Sequence, residues 1–232
     1  MKYTEFEAIM SPERMHRYLI ATGGDTARAM TLYRENLRLS QEVFTIVSCF
    51  EVTLRNAIDN RLKIALGQDW LRDAIKPEGI FVGFPETYRK ISKAYDKLVA
   101  TGTYHHTQLL ATLDFGSWKH MFARDQYRAT GQCLLQVFPN KPKSSPAMQY
   151  NNTYIFNELD KVNTLRNRIA HHEPICFTHN SQHVDTTYIL NEYQKIQTLF
   201  LWMGVDSRAL LYGLDHVQTM CNRLNRENRY NS

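Results

Sequence analysis

The stretch SQEVFTIVSCFEVTLRNAIDNRLKIALG, residues 40–67, decides the fold of this chain. It contains no proline and no glycine before its last residue, and its apolar residues return at the spacing of one helix face. Ser40 is a residue type that favours the start of a helix, and Gly67 is one that favours its end. The stretch therefore predicts a long amphipathic helix between these two residues. Its apolar face consists of Val43, Ile46, Val47, Phe50, Leu54, Ala57, Ile58 and Leu62.

Helical spacing recurs on both sides of this stretch. Ser11 and Pro12 are typical of a helix start, and Asp25 is typical of the cap of a following helix. Asp206 is expected to cap the last helix of the chain. The remaining helices are expected over residues 87–100, around residues 109–122, from about residue 153 until the chain approaches Pro174, and over residues 187–204.

Composition supports an all-α fold. The chain of 232 residues contains only 10 Gly and 7 Pro, well below average usage, whereas all-β folds need many tight turns. We find no internal repeat and no Ser/Gly-rich linker, so we expect one domain over residues 1–232. We therefore predict an all-α fold, a helical bundle with additional helices.

Net charge, cysteine spacing and the length of the apolar runs indicate which partners, metal sites and cellular compartment to expect. The formal net charge is +5, which is compatible with a polyanionic partner such as RNA but does not require one. The four cysteines form no CxxC pair and no zinc-binding spacing, and no cofactor motif is present. The longest apolar run, residues 199–205, is far shorter than the ~20 residues of a membrane-spanning helix. The first residues lack the apolar core of a secretion signal, so we expect a cytoplasmic protein.

The sequence LRNRIAHHEPI, residues 165–175, has the sharpest chemical pattern. On a helix with about 100° per residue, Asn167 and His171 share a face, and the long side chain of Arg166 can reach toward them. Arginine stabilises charge on phosphoryl oxygens, and histidine transfers protons near neutral pH. These three residues therefore suit the cleavage of a phosphodiester. The alternative is a helix end that carries basic residues because they complement the helix dipole.

Three blocks in the same order resemble the Abi-like (abortive infection) family and its HEPN-type domain. LRNRIAHHEPI is similar to the R-N-x-x-x-H signature of HEPN domains. FEVTLRNAIDNRL, residues 50–62, resembles the early family helix, and LDFGSWKHMF, residues 113–122, resembles its F-G-x-W segment. The resemblance spans at least residues 40–175.

The resemblance implies an all-helical HEPN fold and metal-independent cleavage of RNA by Arg166, Asn167 and His171. Similar domains act as toxins in toxin–antitoxin and phage-defence systems, so an RNA or protein antitoxin is an expected partner. Because HEPN motifs usually face each other across a dimer, a single motif implies a homodimer with a shared cleft. Some HEPN toxins carry a modified tyrosine two residues after the histidine. Glu173 occupies that position here, which argues against this mode of control.

Four further residues are candidates for the cleft or for RNA binding. Glu51 and Arg55 lie four positions apart, which favours an ion pair along the helix. The alternative is that Glu51 or Arg55 borders the cleft and positions Arg166 or the RNA. Asn56 is a weaker candidate of the same kind, and His172 either contacts RNA or is only solvated. No set of residues has the spacing of a metal site, and this includes the pair His179 and His183.

Two other functions are compatible with the same residues. The first is a non-catalytic RNA-binding protein, for example a defence scaffold bound by an RNA antitoxin. The second is a protein-interaction domain that uses the apolar stripe of residues 188–203, which is also the expected material of a dimer interface.

Overall fold

The structure, a computed structural model, describes residues 1–178 and 181–229, with side chains as far as residue 226. The chain is all-α, as predicted, and within the described residues its only β pairing is one bridge between Phe177 and Val184. A short 3₁₀ helix covers Leu134–Val137. The α-helices are α1 (Tyr3–Met10), α2 (Pro12–Ala21), α3 (Thr26–Leu66), α4 (Trp70–Asp73), α5 (Pro85–Ala100), α6 (His106–Thr112), α7 (Phe115–His120), α8 (Arg124–Ala129), α9 (Asn152–Ala170), α10 (Thr187–Trp202), α11 (Ser207–Leu210) and α12 (Val217–Arg229).

Helix α3 is longer than the sequence predicts, because Ser40 does not begin a helix. The carboxylate of Asp25 accepts hydrogen bonds of 3.0 Å from the backbone N–H groups of Ala27 and Arg28, and the helix then continues without a break. No glycine or proline interrupts the chain between Asp25 and the stretch that begins at Ser40, so Ser40 lies inside one continuous helix. The predicted end is correct: α3 stops before Gly67, whose φ is +100°. The predicted apolar face is buried throughout, apart from the half-buried Ala57.

The first helix of the chain precedes the predicted one. Helix α1 covers Tyr3–Met10, and Ser11 separates it from α2 with a φ of +77°. The Ser11 hydroxyl accepts a hydrogen bond of 3.3 Å from the backbone N–H of Arg14, and Pro12 occupies the first helical position. The prediction that Ser11 and Pro12 open a helix is therefore confirmed. The two helices are consecutive, with only Ser11 between them.

Two helix boundaries differ from the sequence predictions. The segment around residues 109–122 is divided into α6 and α7, because the carboxylate of Asp114 accepts a 2.8 Å hydrogen bond from the N–H of Ser117 and starts a new helix. Asp206 precedes only the four-residue helix α11. The last helix, α12, begins at Val217.

The backbone groups into two compact units. The first contains Met1–Ser48, Leu165–Gln197 and Ser207–Ser232, and the second contains Cys49–Thr164 and Thr198–Asp206. In the first unit the ring of Tyr18 packs edge-on against the rings of Tyr33 and Phe177, with ring centroids 5.2 and 5.1 Å apart. The expectation of one domain over residues 1–232 stays a prediction.

The second unit has an aromatic core and a buried polar cluster. The ring of Phe50 packs edge-on against that of Phe200 at 5.2 Å. Asp59 is buried, and its carboxylate accepts a 2.9 Å hydrogen bond from the Trp70 indole N–H and lies 2.6 Å from the ammonium of Lys63. The Nε2 atom of His106 is 2.7 Å from the same carboxylate. His106 is thus part of a structural cluster.

Most of the apolar stripe of residues 188–203 packs into the interior of the folded chain. Ile189, Ile196 and Phe200 are fully buried, and the half-buried Tyr193 donates a 2.6 Å hydrogen bond to the carboxylate of Asp215. The buried members of this stripe are therefore not available to a partner, whereas Tyr188 and Leu201 are exposed, and the expected dimer stays a prediction. Its apolar spacing reflects the core of the chain itself.

None of the described helices combines the length and the apolar character that crossing a bilayer requires.

Candidate functional site

The R-N-x-x-x-H motif lies at the end of α9. Leu165 and Ile169 are buried and anchor this end of the helix in the core of the first unit. The backbone then turns sharply: the N–H of His172 donates to the carbonyl of Ile169, and the N–H of Glu173 donates to that of Arg168, both at 2.9 Å. His172 has a φ of +56°. This is a Schellman ending, in which His172 occupies the left-handed position usually taken by glycine.

The three motif residues lie within about one and a half turns at the end of α9. The Nη1 atom of Arg166 donates a weak hydrogen bond of 3.4 Å to the side-chain oxygen of Asn167, and both side chains are half-buried. The Nε atom of Arg166 is buried and has no hydrogen-bond partner among the described residues. His171 is the first residue beyond the helix, and its imidazole is exposed. An exposed imidazole at a helix end is free to exchange protons with a ligand.

A surface hollow of about 390 Å³ opens beside His171. It lies between the start of α2 and the turn that follows α9. His171 and His172 line this hollow. Arg166 and Asn167 are not among the described residues that line it. The other lining residues are Ser11, Glu13, Arg14, Arg17, Glu173 and Pro174. His171 therefore faces two arginines of α2 that the sequence analysis did not select.

Arg14 and Arg17 hold the chain segment that follows α9. The guanidinium of Arg14 donates a 2.7 Å hydrogen bond to the carbonyl of His172. Arg17 donates to the carbonyls of Thr178 and Ser181, at 2.9 Å each, and its guanidinium lies 4.4 Å from the centre of the Phe177 ring. Both arginines thus fix the position of this segment, and their side chains are ordered by it. A signal was present in the sequence, since the two arginines are three residues apart on one helix.

Asn36 is a second structural support that the sequence analysis missed. Its side chain is buried, and its carbonyl oxygen accepts hydrogen bonds from the backbone N–H groups of Ile175 and Cys176, at 2.9 and 3.1 Å. These two N–H groups are buried in a segment without regular structure, so they need a side-chain acceptor. Asn36 therefore anchors the chain just beyond Pro174. A lone asparagine within a helix carries no sequence signal for this contact.

The acidic residues at the hollow are already engaged. Arg168 forms an ion pair of 3.1 Å with Glu173 and donates a 3.3 Å hydrogen bond to the carbonyl of Pro174. The pKa of Glu13 is lowered by a hydrogen bond from its own backbone N–H and by a further bond from Ser11. Glu173 is therefore paired with Arg168, whereas the hydrogen bonds of Glu13 come from neutral groups.

The buried cysteine near the site is not a nucleophile. Burial raises the pKa of the Cys176 thiol to about 12, so the group stays protonated at neutral pH. Burial also raises the pKa of the neighbouring Tyr18 hydroxyl. Since the thiolate is the reactive form of cysteine, the Cys176 thiol is a poor candidate for a nucleophile.

The other candidate residues of the sequence analysis belong to the second unit. Glu51 and Arg55 are half-buried and Asn56 is exposed. The Nε atom of Arg55 is buried without a hydrogen-bond partner among the described residues. A role for these residues at the cleft stays a prediction. Trp118 of the F-G-x-W segment is fully buried, so its ring belongs to the core.

Within residues 1–178 and 181–229, no three His, Cys, Asp or Glu side chains are grouped as a metal site would require. His183 is described, whereas His179 lies outside the described residues.

The chain matches no protein-family model, no curated protein and no solved structure.

Proposed function

We propose that this protein is a metal-independent endoribonuclease of HEPN type that acts as a toxin in bacterial abortive infection or in a toxin–antitoxin system. The observation that carries the proposal is the exposed imidazole of His171 at the end of α9. It follows the motif residues Arg166 and Asn167 and faces a hollow that contains two arginines. This combination of a proton-transfer group and guanidinium groups suits the cleavage of a phosphodiester.

The proposed reaction uses the 2′-hydroxyl of the RNA itself as the nucleophile. The 2′-oxygen forms a bond to phosphorus while the bond to the 5′-oxygen breaks. A neutral imidazole takes the proton of the 2′-hydroxyl, and a protonated imidazole supplies a proton to the leaving 5′-oxygen. The products are a 2′,3′-cyclic phosphate and a 5′-hydroxyl. Arg166 stabilises the charge that develops on the phosphoryl oxygens.

A homodimer would supply both imidazoles from a single motif. Two-fold symmetry brings the same surface of each subunit face to face, so one His171 acts as the base and the other as the acid. Because His171 is exposed and lies at a helix end, a second subunit can approach it. The dimer, its RNA substrate and an RNA or protein antitoxin are parts of the same proposal.

The second candidate is a protein that binds RNA without cleaving it. It is favoured by one observation: among the described residues, Arg166 and Asn167 do not line the hollow that His171 faces. If no second subunit completes the site, the hollow binds a phosphate but lacks the means to cleave it.

One experiment separates these candidates. The purified chain is incubated with an end-labelled RNA and with the same sequence carrying 2′-O-methyl groups throughout. The nuclease cleaves only the first and binds both, because the modified strand lacks the attacking hydroxyl. An RNA-binding protein binds both and cleaves neither. Equal cleavage of both strands would contradict the proposed mechanism.

A further inference from the structure

We propose that Arg14 and Arg17 of α2 bind a phosphate of the RNA backbone next to His171. The hollow between α2 and the end of α9 is then a subsite for the substrate strand. This inference rests on the proposed function for the identity of the ligand. It assigns a role to two arginines that lie outside the R-N-x-x-x-H motif and far from it in the sequence.

The first support is uncompensated charge. No carboxylate of the described residues lies within ion-pair distance of Arg14 or Arg17, and both arginines are bonded to neutral carbonyl groups. The neighbouring Arg168, by contrast, is paired with Glu173 at 3.1 Å. Glu13 also lines the hollow and carries one negative charge, so the two arginines leave a net excess of one positive charge beside the exposed imidazoles of His171 and His172. Such a surface attracts a phosphodiester.

The second support is that contacts within the chain hold both guanidinium groups in fixed positions. Arg14 donates from one Nη atom to the carbonyl of His172, and Arg17 is held between two carbonyls and the face of the Phe177 ring. These contacts use only part of the five N–H donors of each guanidinium. The remaining donors are held in place before a ligand arrives, so less conformational entropy is lost on binding. Forked donors of this kind match the oxygens of a phosphate.

The third support is the position of the hollow. Arg14 and Arg17 lie three residues apart on α2, and together with His171 and His172 they line one cavity of about 390 Å³. A water molecule accounts for about 30 Å³ in the liquid, so the cavity has room for a much larger group. A phosphate bound there would place the adjacent nucleotide beside the imidazole of His171.

The test measures binding separately from cleavage. The probe is a 2′-O-methyl RNA 12-mer, which cannot be cleaved by the proposed route, and its binding is followed by fluorescence anisotropy over a range of salt concentrations. The variant is the double substitution Arg14→Gln and Arg17→Gln. The matched control is Lys93→Gln and Lys97→Gln, which removes the same charge from exposed positions of α5.

We expect the arginine variant to bind about tenfold more weakly at 0.1 M salt, with the control within about twofold of the parent chain. The salt dependence is the more specific readout. Each lost phosphate contact on a single strand lowers the slope of log affinity against log salt by about 0.7, so two contacts lower it by about 1.4. If Arg14 and Arg17 only held the fold together, the slope of log affinity against log salt would be the same for the variant and the parent chain.

Thermal melting checks that each variant is folded. If the double variant does not fold, Arg14→Gln alone replaces it, because Arg14 is exposed and its side chain makes a single hydrogen bond to the described residues. The expected slope change is then about 0.7. A folded variant with the affinity and slope of the parent overturns the inference, and cleavage by the parent would still support the proposed function. A parent that does not cleave RNA, with a variant that loses affinity, contradicts only the nuclease.

Discussion

The guanidinium of Arg14 and the backbone carbonyl of His172 are joined by a 2.7 Å hydrogen bond, although the two residues are 158 positions apart in the chain. His172 has the left-handed backbone conformation that ends α9, and His171 directly precedes it. The contact therefore ties the start of α2 to the turn that presents the candidate catalytic imidazole. The position of His171 depends on the packing of α2 as well as on α9.

The first prediction concerns the motif. His171→Ala and Arg166→Ala each lower RNA cleavage by at least about 100-fold, because one removes the proton-transfer group and the other removes stabilisation of the developing charge. Asn167→Ala has a smaller effect, since water can replace part of an orienting role. Cleavage of a labelled RNA is measured for each variant, together with its thermal melt.

His16→Ala is the matched control, because it removes an exposed histidine of α2 that does not line the hollow. It is expected to cleave at the parental rate. A His171→Ala chain that is folded and cleaves as fast as the parent would show that the motif has been misassigned.

The second prediction concerns metal dependence. Cleavage in excess EDTA proceeds at the rate measured without chelator, and the 5′ fragments end in a 2′,3′-cyclic phosphate. The reason is that the proposed reaction needs only proton transfer and guanidinium groups. Mass spectrometry of the fragments identifies the ends. Activity that is lost on chelation and restored by Mg²⁺ would point to a hydrolytic metal mechanism instead.

The third prediction concerns the proposed dimer. Parent chains are mixed with an equal amount of inactive His171→Ala chains, and the subunits are allowed to exchange. If cleavage needs both imidazoles, only parent homodimers are active, and these make up about a quarter of all dimers after random exchange. Activity per total dimer then falls to about a quarter. A fall to only about half would mean that each subunit acts alone.

The fourth prediction concerns the buried side chain of Asn36. Asn36→Ala leaves the backbone N–H groups of Ile175 and Cys176 buried without their acceptor, at a cost of roughly 1–3 kcal/mol for each unsatisfied group. We therefore expect the free energy of unfolding to fall by about 3 kcal/mol, measured by chemical denaturation. Asn60→Ala, at an exposed position of the same helix, is expected to change it by less than about 0.5 kcal/mol. Equal values for the two variants would contradict the anchoring role.

The fifth prediction concerns thiol reactivity. Burial raises the pKa of Cys176 to about 12 and that of Cys221 to about 11, and Cys133 is also buried. At pH 8 Cys176 and Cys221 remain thiols, and burial keeps reagents away from Cys133, so a thiol reagent labels only the half-buried Cys49 at an appreciable rate. Cys49→Ser should abolish the fast phase of labelling.

The raised pKa of Cys176 also predicts how the stability of the chain changes with pH. A thiol whose pKa is raised on folding holds its proton to higher pH than the unfolded chain does. The contribution of the Cys176 thiol to the free energy of unfolding is therefore complete below pH 9.0, the ordinary pKa of a cysteine thiol. It decreases as the pH rises toward 12. Rapid labelling of Cys176 in the folded chain at pH 8 would contradict both statements.

Local patterns predicted most of the helices, and their failures have local causes. The apolar face of α3 was predicted correctly because residues at helical spacing must share one side of the helix. Ser40 was misassigned because serine favours helix starts but does not prevent a helix from continuing. Helix α1 was missed because eight residues give too few turns for a clear period.

The sequence by itself determined the all-α class, the burial of the α3 face and the one-turn spacing of Asn167 and His171, because each follows from the geometry of a single helix. Only the tertiary structure decided what His171 faces. The contacts of Arg14 with His172 and of Asn36 with Ile175 join residues 158 and 139 positions apart. Such contacts form when distant segments pack together and satisfy buried backbone groups, and a local sequence pattern carries no information about them.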